Sequence, residues 1–473
     1  MTDAPELPRL TPPVAPSAVD GGVWAPHRRR LTVGLVLTIT LVAFESLAVS
    51  TVLPEVSDDL GGLGLYGWVF SAFFLGNLLG IVTAGHLADR LGTARPFSLG
   101  LLLFAGGLIV GGLAPSMGVL VAARAVQGIG AGAIPAVAYV SVGRAYPAAL
   151  RPRIFAVFST AWVVPGLLGP AASTGLAHAF GWRSVFLALL PLVAIAAVIT
   201  VPSLVRSVGA PPTDPATADG VSPDRRTAPA LALIAGTAAV LAAAGGAPIG
   251  SAVALVVVGA PVAVAAFVRL MPTGTLRLAP GIPAAVAVRG ILTFAFFGAD
   301  AYVSLTLHDV RGQATWVAGL ALTLTTISWT AGAWVQERAI HRVGPLRVVR
   351  TGLLVVAAGI ALLLGATGPL PIALAVAVWS VAGFGIGLAY SPLSVVVLGL
   401  AAPGQEGSAS ASLQLSDVLG VALGTGVGGA LLAVGDAQGW AIESGLRIAF
   451  VGTLVAALLG ATAAARLPAA LPD

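Results

Sequence analysis

Long apolar runs alternate with short polar segments from residue 31 to residue 465. A helix needs roughly 20 apolar residues to cross the hydrocarbon core of a bilayer. The run at 229–246 is short and rich in Ala and Gly, so an interfacial segment is the alternative to a span there. The pattern predicts about fourteen membrane-spanning helices, at 31–53, 66–88, 96–115, 117–142, 153–178, 182–204, 229–246, 248–270, 283–307, 314–337, 346–367, 370–398, 407–434 and 440–465.

The composition is typical of a protein that lies mostly in a membrane. Of the 473 residues, 57% are hydrophobic and 9% are charged, whereas a soluble domain carries roughly 25% charged residues. A soluble globule of this composition would lack the polar side chains needed to cover its surface. The predicted fold class is therefore an all-α polytopic membrane protein.

The side chains offer little chemistry for catalysis or for holding a metal or a phosphate. The chain has no Cys, and its five His are scattered without metal-ligand spacing. It has no Gly-rich loop with Lys to hold a phosphate, and polar residues do not recur along one helix face as in a channel. We predict no enzymatic activity, no metal and no cofactor.

The arginines predict the orientation in the membrane. All 24 basic residues are Arg, which together with 60 Gly indicates a high-GC bacterial genome. With both termini in the cytoplasm, only Arg183, Arg311 and Arg447 fall on external loops. Cytoplasmic loops are normally enriched in Lys and Arg. The cytoplasmic arginines would be 28–30, 90, 95, 144, 151, 153, 206, 225, 226, 269, 277, 338, 342, 347, 350 and 466.

Polar segments divide the chain. The predicted parts are a disordered cytoplasmic N-terminal tail (1–30), a six-helix bundle (31–204), a cytoplasmic linker (205–228), an inserted helix pair (229–270), a second six-helix bundle (283–466) and a C-terminal tail (467–473). The Pro-rich N-terminal tail lacks the features of a secretory signal.

An internal repeat relates the two bundles. The segment from Arg90 to Arg95 recurs from Arg342 to Arg347, and Glu45 in the first span corresponds to Asp300. The two offsets are 252 and 255 residues, so both matches describe one repeat. Transporters built from such repeats bind substrate near the bilayer midplane.

Four ionisable residues lie inside predicted spans, namely Glu45, Arg124, Asp300 and Asp417. Each costs at least ~2.5 kcal/mol on insertion scales and therefore indicates a function or a pairing. The rise of ~1.5 Å per residue places Glu45 and Arg124 at the same depth, so they can pair. We expect Glu45 and Asp417, and then Asp300, to carry protons, with Arg124 tuning Glu45. The alternative is that each acid only fixes helix packing. Arg289 is expected to reach the cytoplasmic face.

Three motifs carry a resemblance to a known family. The loop Gly85-His86-Leu87-Ala88-Asp89-Arg90-Leu91-Gly92-Thr93-Ala94-Arg95 resembles the signature loop between helices 2 and 3 of the major facilitator superfamily. Arg124-Ala125-Val126-Gln127-Gly128-Ile129-Gly130-Ala131-Gly132 resembles the fourth-helix motif, whose Arg is implicated in proton coupling. Pro165-Gly166-Leu167-Leu168-Gly169-Pro170 resembles the antiporter motif, although Ser173-Thr174 replace its final Gly-Gly pair.

The stretch from Phe44 to Pro54, in the first predicted span, resembles the first helix of fourteen-span drug exporters, with Glu45 where an Asp is common. The chain thus resembles the drug/proton antiporter branch (DHA2-type) with an inserted helix pair, in its actinobacterial form. This resemblance implies the major facilitator fold, a structure of two six-helix bundles plus an inserted helix pair. It also implies export of hydrophobic or amphipathic molecules by alternating access, with a proton gradient as the energy source and no cofactor. Lipid export, of acylglycerols or glycolipids, and proton-coupled uptake remain alternatives.

The resemblance also implies two functional regions. A cytoplasmic clasp would tie the two bundles together in the outward-facing state; its residues would be Gly85, Asp89, Arg90, Gly92, Arg95, Arg342 and Arg347. A central cavity would be lined by Phe44, Gln127, Trp162, Phe294, Phe297, Tyr302, Tyr390 and Gln414. Gly92 must be free to adopt positive φ in a tight loop.

The expected partners follow from this function. They are membrane lipids, protons and a small hydrophobic or amphipathic substrate, and no nucleic acid. We expect a monomer in the bacterial plasma (inner) membrane.

Overall fold

A computed structural model describes residues 22–146, 150, 154, 157–158, 160–207, 224–244, 249–368, 370–401 and 406–470. Most of the predicted N-terminal tail and linker lies outside these residues. The surroundings of Gly85 and the side chains of Asp89 and Arg90 are also outside the described set.

Fourteen long helices make up the described chain. Their order is α1 (Pro26–Leu60), α2 (Tyr66–Leu91), α3 (Ala94–Gly112), α4 (Met117–Ala145), α5 (Val163–Phe180), α6 (Leu190–Ser207), α7 (Asp224–Ala244), α8 (Ile249–Leu270), α9 (Ile282–Asp300), α10 (Thr315–Val343), α11 (Pro345–Ala366), α12 (Ile372–Leu400), α13 (Glu406–Ala437) and α14 (Ile442–Ala463). A short helical segment, Arg183–Leu187, precedes α6, and a helical turn followed by a π-turn links α9 to α10.

The helices show an all-helical membrane fold, but the number of spans stays a prediction. Among the described residues, eleven helices are long and apolar enough to cross a bilayer. Helices α5, α7 and α10 are not among the eleven, and the apolar part of α7, Thr227–Ala243, is short. Exposed apolar side chains, such as Leu102 and Val198, cover the outside of the bundle, as expected for surfaces that face lipid.

The helix pairs repeat along the chain. In the first bundle, α1–α6, the helix pairs α2/α4, α3/α4, α1/α5 and α1/α6 pack together. In the second bundle, α9–α14, the corresponding pairs α10/α12, α11/α12, α9/α13 and α9/α14 do the same. The packing therefore has the twofold repetition that the sequence repeat indicates.

The helix pair α7–α8 lies outside both bundles but contacts each of them. One stripe of α7 is buried and faces the seam between α2 and α13; it comprises Ala230, Leu233, Thr237 and Leu241. A Cβ added at Gly426 of α13 would lie 2.6 Å from the Leu241 side chain, so the two helices touch there. Helix α8 packs on the other face of α7 at Gly236.

The two bundles meet toward one end of the molecule. This Arg-poor end carries the C-terminus of α1 and the residues Arg183, Arg311 and Arg447. The opposite, Arg-rich end carries Arg95, Arg342 and Arg347. Between the bundles, Ser71 of α2 donates to the carbonyl of Ala422 at 2.9 Å, and Gly67 lies against Gly429. Thr315 of α10 donates to Glu55 of α1 near the same end.

Candidate functional site

The first bundle contains a buried ion pair between Glu45 on α1 and Arg124 on α4. The Arg124 side chain is 2% exposed and that of Glu45 is 0% exposed. Arg124 Nη1 donates to Glu45 and, at 2.8 Å, to Gln127 Oε1, while Nε donates to the Val69 carbonyl at 3.2 Å. The guanidinium also lies 4.1 Å from the centre of the Phe73 ring.

The packing of α2 against α4 holds Arg124 in this position. A Cβ at Gly128 would overlap the Phe73 carbonyl, and one at Gly132 would overlap the Asn77 carbonyl. The glycines of the fourth-helix motif therefore let α2 approach α4 closely. Such an approach brings the Val69 carbonyl and the Phe73 ring within reach of the guanidinium.

The second bundle contains an ion pair that the sequence analysis missed. Arg289 Nε on α9 donates to Asp417 Oδ1 on α13 at 2.8 Å, and the Arg289 side chain is 6% exposed. The expectation that Arg289 extends to the cytoplasmic face is wrong, because this carboxylate satisfies it inside the bundle. Tyr390 of α12 donates its hydroxyl to Asp417 Oδ2 at 2.9 Å, and the guanidinium stacks 3.1 Å from its ring centre.

Asp300 has a different environment from the other two acids. Its Oδ1 accepts a hydrogen bond from the indole nitrogen of Trp379, on α12, at 2.7 Å. The offset from Arg124 to Trp379 is 255 residues, the same as that from Glu45 to Asp300. The second bundle thus retains the acid and its position but has a neutral donor in place of the guanidinium.

An aromatic cluster lies beside Asp300 and Asp417. Trp329 of α10 is at its centre, with ring centroids 5.5 Å from Phe296, 6.1 Å from Phe297 and 5.5 Å from Tyr390. Sequence analysis named Phe297 and Tyr390 but not Trp329. Nothing in the sequence separation between Trp329 and the other aromatic residues indicates that their side chains lie close together in the structure.

The other predicted cavity residues have varied environments. Phe44, Phe294 and Gln414 are half-buried, and Trp162 is exposed at 47%. Gln127 is fully buried in the Glu45 cluster. Tyr302 is fully buried at the seam of the two bundles, where it donates to the Thr425 carbonyl, so it has no surface facing a cavity in this conformation.

The antiporter-like motif lies where α5 of the first bundle meets α10 of the second. A Cβ at Gly166 would overlap the Thr326 methyl group, and one at Gly319 would lie 3.3 Å from Pro170. Gly169 faces Phe44 and Leu47 of α1 at 3.7–3.9 Å. The motif therefore permits close approach at a contact between the bundles.

The predicted clasp is described only in part. Gly92 ends α2 with φ +77°, and Gly344 ends α10 with φ +81°, so both copies of the loop turn through a glycine with positive φ. The expectation for Gly92 is confirmed. Arg95, Arg342 and Arg347 are exposed. The predicted roles of Gly85, Asp89 and Arg90 depend on surroundings that lie outside the described set.

Comparisons with known proteins agree with this architecture. The family model for the Major Facilitator Superfamily matches residues 35–425. A probable multidrug-efflux transporter of Mycobacterium tuberculosis strain H37Rv is 26% identical over 92% of this chain and 94% of its own length. The multidrug resistance protein Stp of the same species, strain CDC 1551, is 28% identical over 92% of this chain and 78% of its own.

Solved structures share the fold at low sequence identity. A bacterial homologue of the human lysosomal transporter Spinster, inward-facing and unoccupied, has a TM-score of 0.67 at 15% identity and covers 93% of this chain and 96% of its own. A D-xylose–proton symporter has the same TM-score at 14% identity, with 94% and 98% coverage. Since the family model matches most of the chain and the helices have its paired arrangement, the protein is a multi-pass membrane transporter, not an enzyme, and belongs to the major facilitator superfamily.

Proposed function

We propose that this transporter exports hydrophobic or amphipathic small molecules in exchange for protons. The observation that carries the proposal is the set of three acids, Glu45, Asp417 and Asp300, held inside the helix bundles by specific partners. Ionisable groups at such depth are costly and mark ion or substrate pathways. The similarity to multidrug-efflux proteins supports drug-like compounds as the substrate class.

The three acids suit different parts of the exchange. Glu45 and Asp417 each have a guanidinium partner, so protonation of either acid leaves a positive charge that a nearby carboxylate no longer balances. Such a change favours rearrangement of the pair. Asp300 has only the neutral Trp379 donor among its described partners, so its protonation breaks no ion pair.

The aromatic cluster supplies the substrate surface in this proposal. Aromatic rings bind apolar and aromatic molecules and attract cations over their faces. Tyr390 donates to the carboxylate of Asp417, Trp329 packs against Tyr390, and Phe297 packs against Trp329. A lipophilic cation at this surface would compete with Arg289 for that carboxylate, and this competition would couple substrate release to protonation.

Transport would proceed by alternating access of the two bundles. With the orientation that the arginines predict, the Arg-poor end faces outward, and the bundles meet toward that end. We therefore assign this conformation to the inward-facing state. The clasp around Asp89, Arg90 and Arg95 would hold the Arg-rich end closed in the outward-facing state.

Transport polarity in inverted membrane vesicles tests this function. With an acidic interior, we expect accumulation of ethidium and its loss when nigericin dissipates the pH gradient. Vesicles that lack the transporter control for leakage. Accumulation only in right-side-out vesicles would instead indicate uptake. Failure with ethidium and other cations, together with transfer of a labelled acylglycerol, would indicate lipid export.

A further inference from the structure

A cluster of titratable side chains joins the two bundles at the Arg-poor end. His308 lies in the π-turn Thr306–Val310 that follows α9, and its Nδ1 is 2.7 Å from Asp309 Oδ1 and 3.9 Å from Asp58 Oδ2. Asp58 belongs to α1 of the first bundle, whereas His308 and Asp309 belong to the second. The contact therefore exists only while the bundles are together at this end.

The cluster is separate from the acids of the central site. Asp58 follows Glu45 by 13 residues, which is about 20 Å along a helix. Its side chain is 62% exposed, and that of His308 is 24% exposed, so water reaches them directly. Single π-turns such as this one often occur at functional sites.

We propose that Asp58, His308 and Asp309 form a proton-binding site that holds the Arg-poor end closed when His308 is protonated. Histidine is the side chain that ordinarily changes charge between pH 5 and 8. The imidazolium is attracted to carboxylates on both bundles, whereas neutral imidazole leaves two carboxylates facing each other across the seam. Acid on this side therefore strengthens the closed state.

The other charged groups near the cluster have partners of their own, so His308 is the group whose protonation we expect to control closure of this end. On α1, Glu55 accepts a hydrogen bond from Thr315 of α10, and Asp59 is paired with Arg183 at 2.8 Å. Arg311, after the turn, donates to the carbonyls of Ala366, Gly368 and Leu370.

Helix α14 also packs against the π-turn. Its nearest charged residues, Glu443 and Arg447, pair with each other at 2.5 Å. The tyrosines next to the cluster, Tyr66 and Tyr302, are fully buried and neutral in this pH range.

The site would assist the return step of the exchange, and this role rests on the proposed function. An exporter must close its outer end after protons bind from outside. A site that binds external protons and stabilises closure would promote that step when the outside is acidic.

Cysteine labelling tests the site without requiring transport, because the chain has no native Cys. Ser304 is fully buried beside α1 in the closed conformation, so Ser304→Cys should react with a maleimide only when this end opens. The parent for comparison is Ser304→Cys alone. In nanodiscs at pH 5.5, we expect adding His308→Gln to raise the labelling rate about fivefold over this parent, which corresponds to the upper range of free energy for an exposed ion pair. At pH 8.5, the two rates should agree within about twofold.

Matched variants define the outcomes. Asp58→Asn should reproduce the effect of His308→Gln at pH 5.5, and His178→Gln, an exposed His at the same end, should match the parent at both pH values. Equal rate ratios at the two pH values would overturn the proposal. So would a difference that EDTA abolishes, since a divalent cation would then be the ligand. Failure of drug-driven proton movement in the parent would refute the proposed exchange but would leave these labelling ratios unchanged.

Discussion

Removing both partners of the Glu45–Arg124 pair should destabilise the protein by less than the sum of the two single removals. Glu45 is 0% exposed and Arg124 is 2% exposed, and the guanidinium makes hydrogen bonds to Glu45, Gln127 and the Val69 carbonyl. Breaking a buried pair by deleting one partner typically costs about 3–5 kcal/mol, because it leaves an uncompensated charge. We therefore expect that penalty for Glu45→Gln and for Arg124→Gln.

The double variant Glu45→Gln/Arg124→Gln should lose less stability than the two single variants lose together. Its two amides are neutral and can hydrogen-bond to each other, so the coupling energy should be about 1–3 kcal/mol. Thermal unfolding followed by the fluorescence of the nine Trp residues measures all three variants in detergent. Glu443→Gln removes an acid from an exposed pair as a control and should cost at most about 1 kcal/mol. A double variant as unstable as the sum of the single variants would refute the reasoning.

Three further predictions concern a contact between the bundles, a glycine in a loop and the hydrogen bond of Asp300. Gly166→Ala should lower both the unfolding temperature and the transport rate, because its Cβ meets the Thr326 methyl group. Adding Thr326→Ser should restore both, and a failure to restore them would mean that this contact is not the cause. Gly175→Ala, where a Cβ has free space, is the control and should be neutral. Gly92→Ala should cost about 1–2 kcal/mol of unfolding free energy, because Gly92 has φ +77°, which is unfavourable for a residue with a Cβ. Gly106→Ala, in the middle of α3 with free space around it, should not destabilise the protein. Equal effects of the two substitutions would contradict the assigned turn. Trp379→Phe should destabilise the protein by about 1–3 kcal/mol, since Asp300 loses its indole donor. Trp316→Phe, at an exposed position, should not destabilise it. Equal unfolding temperatures of these two variants would show that the hydrogen bond is unimportant.

Hydrophobic runs predict most helices because the bilayer imposes both their length and their apolar character. The helix ends are predicted less accurately, as α1 shows. Its apolar run stops at residue 53, but the helix continues through Pro54 to Leu60. The polar residues there gain partners on both bundles, including Thr315 and Arg183, and those contacts are invisible in the sequence.

The buried ion pairs differ in how far the sequence predicts them. Glu45 and Arg124 have equal depths in rigid helices, so the helical rise predicts that they can meet. Arg289 and Asp417 are 128 residues apart, and the long Arg side chain bridges unequal depths. Trp379 is found only by applying the repeat offset to Arg124, since an aromatic residue in a membrane helix carries no signal of its own.

The most direct test of the central claim is proton movement in proteoliposomes containing wild type, Glu45→Gln or Asp417→Asn, with Asp436→Asn, an exposed acid, as the control. An imposed pH gradient is followed with an internal dye while ethidium is added. We predict that ethidium discharges the gradient in wild type and in Asp436→Asn, and that at least one of the buried-acid variants does not respond. Discharge at the wild-type rate in both buried-acid variants would contradict their role as proton carriers.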